Sequence, residues 1–198
     1  CARFDWRRTC SCASNNLADS IFTDRLELVP MTPETIRAVL GHEAGRAAEL
    51  LQVANPGTWP WRPALLETRL AQMEKDDTLI PWLLRAIIRL EDRELTGHSG
   101  LHTGPDPDYL RDLGLSGIEY GYTVFEPYRR QRFGTEAAVG LMRWARETHG
   151  ISHFVLSIAP DNEPSLRMAR GFGFTFRSVY QDPDDGTEHI YAGEFSGA

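Results

Sequence analysis

Residues 128–136 carry the side chains and spacing that could bind an anion. They read Tyr-Arg-Arg-Gln-Arg-Phe-Gly-Thr-Glu and lead directly into the strongest amphipathic pattern of the chain, which predicts a helix from Arg132 or Phe133 to His149. A loop that enters a helix start exposes unpaired backbone N–H groups and the positive end of the helix dipole. That environment suits a phosphate or pyrophosphate, and Gly134 would let the backbone come close to it. A solvated basic turn is the alternative, and this segment alone does not exclude it.

Glu119 is the second group that could do chemistry, because it lies in a strand of otherwise apolar, aromatic and small residues. Strand alternation over Ile118–Phe125 places Glu119 on one face with Gly121, Thr123 and Phe125. A carboxylate there is costly unless it meets water or a partner. We therefore predict that Glu119 faces a cleft as a general base. A salt bridge at the strand edge is the alternative.

The elements that position these groups form one α+β domain over residues 20–198, preceded by a polar tail over residues 1–19. The domain shows neither a repeat nor an internal linker, and its predicted order is β-α-α-α-β-β-β-α-β-α-β-β. The pattern starts with a strand around residues 24–30 and a helix begun by Thr32 and Pro33. The remaining predicted segments are helices at 46–53 and 63–75, a hairpin over 82–103, a loop at 104–116, strands at 118–125 and 154–159, a helix at 162–170, and strands at 174–180 and 188–195.

Composition excludes several classes of protein. With 21 Lys and Arg against 28 Asp and Glu, the formal net charge of −7 argues against a nucleic-acid binder. No apolar run approaches the roughly 18 residues that cross a bilayer, so no membrane partner is expected. All three cysteines lie within residues 1–12, which fits a reducing cytoplasm, and the Cys10/Cys12 pair lacks further ligands for a metal. His98 and His102, four apart on a predicted strand, also do not suggest a metal site.

Several motifs together resemble the GNAT superfamily of acyl-CoA-dependent N-acyltransferases, and most closely the branch that acetylates the N-termini of ribosomal proteins. That branch carries a Glu-x-Gly-Tyr strand, a Tyr-Arg-x-x-Gly-x-Ala/Gly-Thr-Glu-Ala loop and helix, and an Asn-x-x-Ser helix ending in Gly-Phe. The matching positions run from the Thr23–Leu28 strand to Phe195, and the motif residues are Glu119–Tyr122, Tyr128–Ala137, Asn162, Ser165 and Gly173-Phe174.

The resemblance implies a twisted, mostly antiparallel seven-stranded sheet with helices on both faces, whose fourth and fifth strands are parallel and splay apart. It implies that acetyl-CoA inserts into the splay and that its pyrophosphate rests on the loop before the central helix. Arg132 stands where the family has its first glycine, so its side chain either narrows the approach to the phosphate or binds it through a charge-assisted contact. The implied cofactor-binding residues are Tyr122, Thr123, Val124, Arg129, Arg130, Gln131, Arg132, Phe133, Gly134, Thr135 and Asn162.

The resemblance further implies an acetyl-CoA-dependent N-acetyltransferase in which an amine attacks the thioester directly in a ternary complex. Glu119 would be the base, and backbone N–H groups near Tyr122–Val124 would polarise the carbonyl. A tyrosine that many members use to protonate the thiolate is Ala169 here, so Ser165 becomes the candidate donor, with capping of its own helix as the alternative. A covalent route is disfavoured because residues 13–198 contain no cysteine.

The sequence leaves the acceptor open among primary amines, either a protein N-terminus or a small molecule. Trp59 and Trp61 are candidates for a wall of the acceptor pocket, and buried packing explains them equally well. The acidic residues around 182–188 could attract a cationic acceptor, although solvated loop charge is the simpler explanation. The protein is expected to be a monomer or a homodimer.

Two functions other than an enzyme are open to this sequence. A non-catalytic acyl-CoA-binding module is supported by Ala169 and by Arg132. A nucleotide-phosphate binder of another kind is disfavoured because the chain contains neither G-x-x-x-x-G-K-[ST] nor G-x-G-x-x-G.

Overall fold

A computed structural model describes residues 20–55, 59–112, 114–183 and 185–197. The predicted tail and its cysteines therefore lie outside the described residues. Over the described residues the strands are β1 Ile21–Phe22, β2 Leu26–Pro30, β3 Arg85–Arg89, β4 Leu95–Leu101, β5 Ile118–Val124, β6 His153–Ile158, β7 Thr175–Asp182 and β8 Gly186–Glu194. The α-helices over the same residues are α1 Pro33–Leu40, α2 Ala44–Leu51, α3 Pro63–Lys75, α4 Asp108–Asp112, α5 Phe133–His149 and α6 Glu163–Gly171.

The strands form one mixed sheet in the order β1-β2-β3-β4-β5-β6-β8-β7. Neighbouring strands are antiparallel except β5 and β6, which run parallel. The predicted α+β architecture with a central parallel pair is thus confirmed, but the predicted count of seven strands is wrong. The additional strand is β1, whose Ile21 pairs with Leu28. A strand of two residues is too short to show an alternating pattern, and its presence makes the parallel pair the fifth and sixth strands.

The parallel pair separates soon after it begins. Ile118 pairs with Phe154 and Glu119 with Val155, and beyond these two positions β5 and β6 diverge. On its other edge β5 stays paired with β4 as far as Val124, opposite Gly97. Over the described part of the chain, residues 120–124 of β5 therefore have no strand partner on the β6 side. This is the predicted splay.

Helices cover both faces of the sheet, each over its own core. On one face α5 and α6 pack on the central strands, with Leu141, Phe154 and Ala169 all completely buried. On the other face α1, α2 and α3 pack over the first half of the sheet, around residues such as Ile36 and Leu66. Consequently the two faces of β5 look onto different groups of helices.

Local signals set the helix boundaries as the sequence predicts. The Thr32 side chain accepts a hydrogen bond from the Thr35 N–H at 3.3 Å and so caps α1. Asn162 caps α6 in the same way, and α5 ends at Gly150 in the left-handed conformation. The predicted surface loop at 104–116 differs, because it contains α4. This short helix buries Leu110 against β6 and β8, a contact distant in sequence.

Two further properties hold for the described residues. None of their helices is both long and apolar enough to cross a membrane. They also include no cluster of three or more His, Cys, Asp or Glu side chains that could hold a metal ion.

Candidate active site

A cavity of about 600 Å³ lies where β5 leaves β6, between the start of α5 and the start of α6. Ten of the eleven predicted cofactor-binding residues line it. The exception is Gln131, whose backbone carbonyl instead accepts a hydrogen bond from Arg25 at 3.0 Å. The lining residues are Tyr122, Thr123, Val124, Tyr128, Arg129, Arg130, Arg132, Phe133, Gly134, Thr135, Asn162, Pro164, Ser165, Arg167 and Met168.

The charge of this cavity is opposite to that of the chain. Its charged lining residues are Arg129, Arg130, Arg132 and Arg167, and no Asp or Glu of the described residues lines it. The N-terminus of α5 opens onto the same space, and no side chain caps it. Four guanidinium groups and the free N–H groups of a helix start together make a strong anion site. A pyrophosphate with an additional phosphate group fits this charge.

Unusual backbone conformations shape the loop before α5. Arg130 and Arg132 have φ angles of 63° and 64°, in the left-handed region that glycine adopts most easily. Arg132 is the residue directly before the first residue of α5. Left-handed residues in a loop can turn neighbouring N–H groups toward one anion. The position therefore needs a left-handed residue, which explains why glycine is the family's choice there and makes arginine a strained substitute.

Tyr122 crosses the splay from β5 to α6. Its phenol oxygen lies 3.0 Å from Oγ of Ser165, within hydrogen-bonding distance. Its ring rests on the first turn of α5, because a Cβ at Gly134 would lie only 2.5 Å from Cε2 of Tyr122. Gly134 is thus required by this ring as well as by any ligand. The sequence predicted only a backbone role for Tyr122, and its hydroxyl was missed.

Ser165 places a hydroxyl group at the wall of the first cavity. It lies in the first turn of α6, is buried, and lines the cavity. The Asn162 side chain, not Ser165, caps the helix by accepting from the Ser165 N–H at 3.3 Å. The Ser165 hydroxyl is therefore left to Tyr122 and to the cavity. Ala169, one turn farther along, is completely buried and offers no hydroxyl.

Glu119 lies on the opposite face of β5 and has several partners. It is 6% exposed, and its Oε2 accepts from the Tyr109 hydroxyl at 2.6 Å and lies 3.3 Å from Nδ1 of His102. Burial alone would raise the pKa of Glu119. The hydrogen bond and charge of His102, joined by the Ser157 and Tyr109 hydroxyls, outweigh burial and lower that pKa to about 2.

Three other titratable groups interact with this carboxylate, namely Arg69, Tyr109 and Glu188. Arg69 of α3 is buried and donates to the His102 carbonyl at 2.8 Å. Burial lowers the pKa of Arg69, while the negative charge of Glu119 opposes that shift. Burial and the Glu119 charge raise the pKa of Tyr109. The same two causes, followed by the charges of two nearby aspartates, raise the pKa of Glu188 on β8.

Aromatic side chains lie farther along the face of β5 that carries Glu119. Trp59 lines a second cavity of about 520 Å³, which shares Thr123, Tyr128 and Arg129 with the first. Trp61 does not line it and stacks instead on His98, with ring centroids 5.0 Å apart. Burial, followed by nearby arginine charges, lowers the pKa of His98 to about 4, so this ring is neutral near pH 7. Trp59 thus stays a candidate for the acceptor wall, and Trp61 packs in the core around it.

Sequence reasoning singled out Glu119 but missed His102 and Tyr109, which contact it, and Arg69, which binds the His102 carbonyl. Their signal lies in the strand register, since His102 follows Leu101, which pairs with Tyr120. Counting one residue further places His102 opposite Glu119, and the His102 N–H donates to the Glu119 carbonyl at 2.9 Å. That register depends on a long loop, so the sequence alone does not supply it.

Comparisons with known proteins agree with this geometry. A family model described as "Acetyltransferase (GNAT) domain" matches residues 25–175. A curated mouse protein, alpha/beta-tubulin-N-acetyltransferase 9, is 36% identical over 77 residues. That match covers 37% of this chain and 31% of the mouse protein, so the chain corresponds to less than a third of that relative's length.

Solved structures share the fold at low sequence identity. A protein from Bordetella pertussis described as a GnaT-family acetyltransferase is 20% identical, with a TM-score of 0.62 over 87% of this chain and 98% of its own. RimL, a ribosomal L7/L12 alpha-N-protein acetyltransferase in complex with coenzyme A, is 16% identical. Its TM-score is 0.58 over 90% of this chain and 99% of its own.

Proposed function

This chain belongs to the GNAT family of acetyltransferases, and we propose that it transfers the acetyl group of acetyl-CoA to a primary amine. The observation that carries the proposal is the cavity at the β5/β6 splay. It joins four arginines, an uncapped helix start and a buried serine hydroxyl in a chain whose formal net charge is −7. The phosphates of coenzyme A would meet the arginines and the α5 N–H groups, and its thiol end would lie toward Ser165.

The chemistry requires a neutral amine, a polarised thioester carbonyl and a proton for the departing sulfur. The bound ammonium loses one proton on the face of β5 that carries Glu119. The nitrogen lone pair then attacks the carbonyl carbon, whose oxygen is stabilised by N–H groups of β5 near Tyr122–Val124. As the C–S bond breaks, the Ser165 hydroxyl donates its proton to the thiolate, and the Tyr122 hydroxyl, 3.0 Å from Ser165 Oγ, replaces that proton. The nitrogen loses its second proton to solvent as the amide forms, and solvent returns one proton to Tyr122, so that both hydroxyls end as they began.

The acceptor approaches from the face of β5 that carries Glu119, opposite α5. The second cavity lies on that side, lined by Trp59 and Phe125. Two names among the relatives support an amine on a protein, since RimL is an alpha-N-protein acetyltransferase and the mouse relative is named for tubulin. A protein N-terminus or a small primary amine is the acceptor class that we propose.

The rival proposal is a module that binds acyl-CoA without turnover, and Ala169 favours it because a usual thiolate acid is missing there. The Tyr122–Ser165 hydroxyl pair argues against it, because it supplies hydroxyl groups in the same region of α6. Under the rival proposal nothing would require a buried, hydrogen-bonded carboxylate on the opposite face.

The test has two stages. Acetyl-CoA at 100 times its dissociation constant should stabilise the fold by about 2.7 kcal/mol, measured by thermal shift. Release of free thiol is then measured against a panel of peptides with free N-termini and small amines. Glu119→Gln should abolish turnover and keep the thermal shift, whereas a non-catalytic module would release no thiol with any amine even in the unmutated protein.

A further inference from the structure

His102 and Glu119 form a hydrogen-bonded pair across β4 and β5. They lie opposite each other in the antiparallel register, so their side chains share the acceptor face. Nδ1 of His102 is 3.3 Å from Oε2 of Glu119. A carboxylate that accepts from one ring nitrogen fixes the tautomer and leaves the other nitrogen with a free lone pair. Nδ1 therefore carries the hydrogen, and Nε2 is free to accept one.

Nε2 lies over the next position of the same face. It would be 2.6 Å from a Cβ built on Gly121, so the ring fits only because this residue is a glycine. Gly121 pairs with Gly100, so no side chain separates the His102/Glu119 pair from the His98/Thr123 pair. The Leu83 backbone covers Gly100, and the His102 ring fills the space over Gly121. The His102 side chain is 37% exposed, whereas that of Glu119 is 8% exposed, so an amine that reaches this pair meets the histidine ring before it meets the carboxylate.

Glu119 itself is poorly suited to take the proton directly. Its Oε2 already receives two hydrogen bonds and is screened from solvent. The hydrogen bond and positive charge of His102 are the leading causes that lower the pKa of Glu119, so this carboxylate is suited to lie beside an imidazolium. Its strength lies in stabilising a positive charge beside it.

We propose that His102 is the catalytic base and that Glu119 is its positioning residue, an assignment that rests on the proposed acetyl transfer. Nε2 of His102 takes one proton from the substrate ammonium, and the freed nitrogen lone pair attacks the thioester carbon. The Nδ1 hydrogen stays on the imidazolium, held by the Glu119 carboxylate. Since His102 is partly exposed, the extra proton then passes from Nε2 to water, which regenerates the base.

The surroundings of His102 favour such a cycle. The charged and titratable groups facing it are Glu119 on β5, Arg69 on α3, Tyr109 on α4 and Glu188 on β8. His98, two positions back on the same face, is buried under Trp61 and does not reach Gly121.

The test compares turnover across roughly pH 6 to 9 for four variants of the full chain. His102→Gln keeps a hydrogen-bonding amide near Glu119 but cannot take the proton. His102→Ala opens a space over Gly121 that free imidazole can occupy. Glu119→Gln removes the positioning charge, and His153→Gln is the control, since it alters an exposed histidine at the start of β6. Thermal shift with acetyl-CoA reports on fold and cofactor binding in each.

General-base catalysis contributes roughly 100- to 10,000-fold, so kcat of His102→Gln should fall by at least about 100-fold with the KM for acetyl-CoA unchanged. The acid limb of its kcat/KM profile should disappear. Imidazole should restore turnover to His102→Ala and not to Glu119→Gln, and His153→Gln should match the unmutated protein. If His102→Gln no longer shows a thermal shift with acetyl-CoA, its loss of turnover does not test the base. The test is then imidazole rescue of His102→Ala, and absence of rescue overturns the assignment of His102 as the base.

Two other results would overturn it in distinguishable ways. If His102→Gln stays within about threefold of the unmutated protein with the same pH profile, while Glu119→Gln is inactive, then Glu119 is itself the base and the acetyl transfer stands. If the unmutated protein binds acetyl-CoA but acetylates no amine, both the base and the proposed function fall.

Discussion

Substitutions of Arg132 can separate the effect of its backbone conformation from the effect of its charge. Its φ of 64° is left-handed, which costs an L-residue about 1–2 kcal/mol. Arg132→Gly removes that strain but adds roughly 0.5–1 kcal/mol of backbone entropy to the unfolded chain. The net gain in unfolding free energy is about 0.5–1 kcal/mol, which raises Tm by about 1–4 °C in a domain of this size. Arg132→Ala keeps the strain, so its Tm should not rise.

The same two variants test how the side chain meets coenzyme A. Both lose one charge-assisted contact to a phosphate, and because Arg132 is exposed we expect the low end of such effects, a dissociation constant raised by roughly tenfold. Calorimetric titration with acetyl-CoA at low and high salt measures this, and the loss should shrink as salt rises. Tighter binding in both variants would show that the side chain obstructs the phosphate. An equal Tm for Arg132→Gly and Arg132→Ala would refute the strain argument.

Three further predictions concern other parts of the site. Gly134→Ala should place its Cβ against the Tyr122 ring, raise the KM for acetyl-CoA by roughly tenfold and lower kcat, as measured by thiol release. Ser165→Ala should reduce kcat by roughly 100-fold and Tyr122→Phe by less, with both still binding acetyl-CoA; equal activity in Ser165→Ala would exclude it as the thiolate acid. Because burial lowers the pKa of His98 from 6.5 to about 4, the unfolded chain takes up its proton first on acidification. The contribution of neutral, buried His98 to the free energy of unfolding is therefore lost as pH falls from about 6.5 to about 4. Urea unfolding should show about 2 kcal/mol less stability at pH 5 than at pH 8, and His98→Gln should reduce this difference.

The parts of the fold that local sequence determines were predicted well. The bounds of α5 and α6 follow from amphipathic spacing, from the Asn162 cap and from Gly150, and none of these needs information from distant residues. The parallel strand pair came from the family resemblance, since periodicity alone does not give strand order. The residues that line the first cavity could also be predicted, because most of them lie at the starts of two helices, α5 and α6.

The acceptor side could not be predicted, because it is assembled from residues far apart in the chain. Arg69, His102, Tyr109 and Glu119 come from α3, the end of β4, α4 and β5. Their proximity depends on the β4/β5 register and on the path of the chain between these strands. Neither produces a periodic pattern in the sequence. The Tyr122 hydroxyl was missed for a related reason, since its contact with Ser165 spans 43 positions.

The two-pair junction between β5 and β6 also bears on how the molecule holds together. From β2 onward, the other neighbouring strands of the sheet pair over four to seven residues, whereas β5 and β6 pair over only two. These two pairs are the strand contact between the β1–β5 half and the β6–β8 half of the sheet. If coenzyme A binds as proposed, the amide groups of its pantetheine arm would form hydrogen bonds with the unpaired residues 120–124 of β5. Bound cosubstrate would then add to the shared core beneath α5 and α6 in holding the two halves of the sheet together.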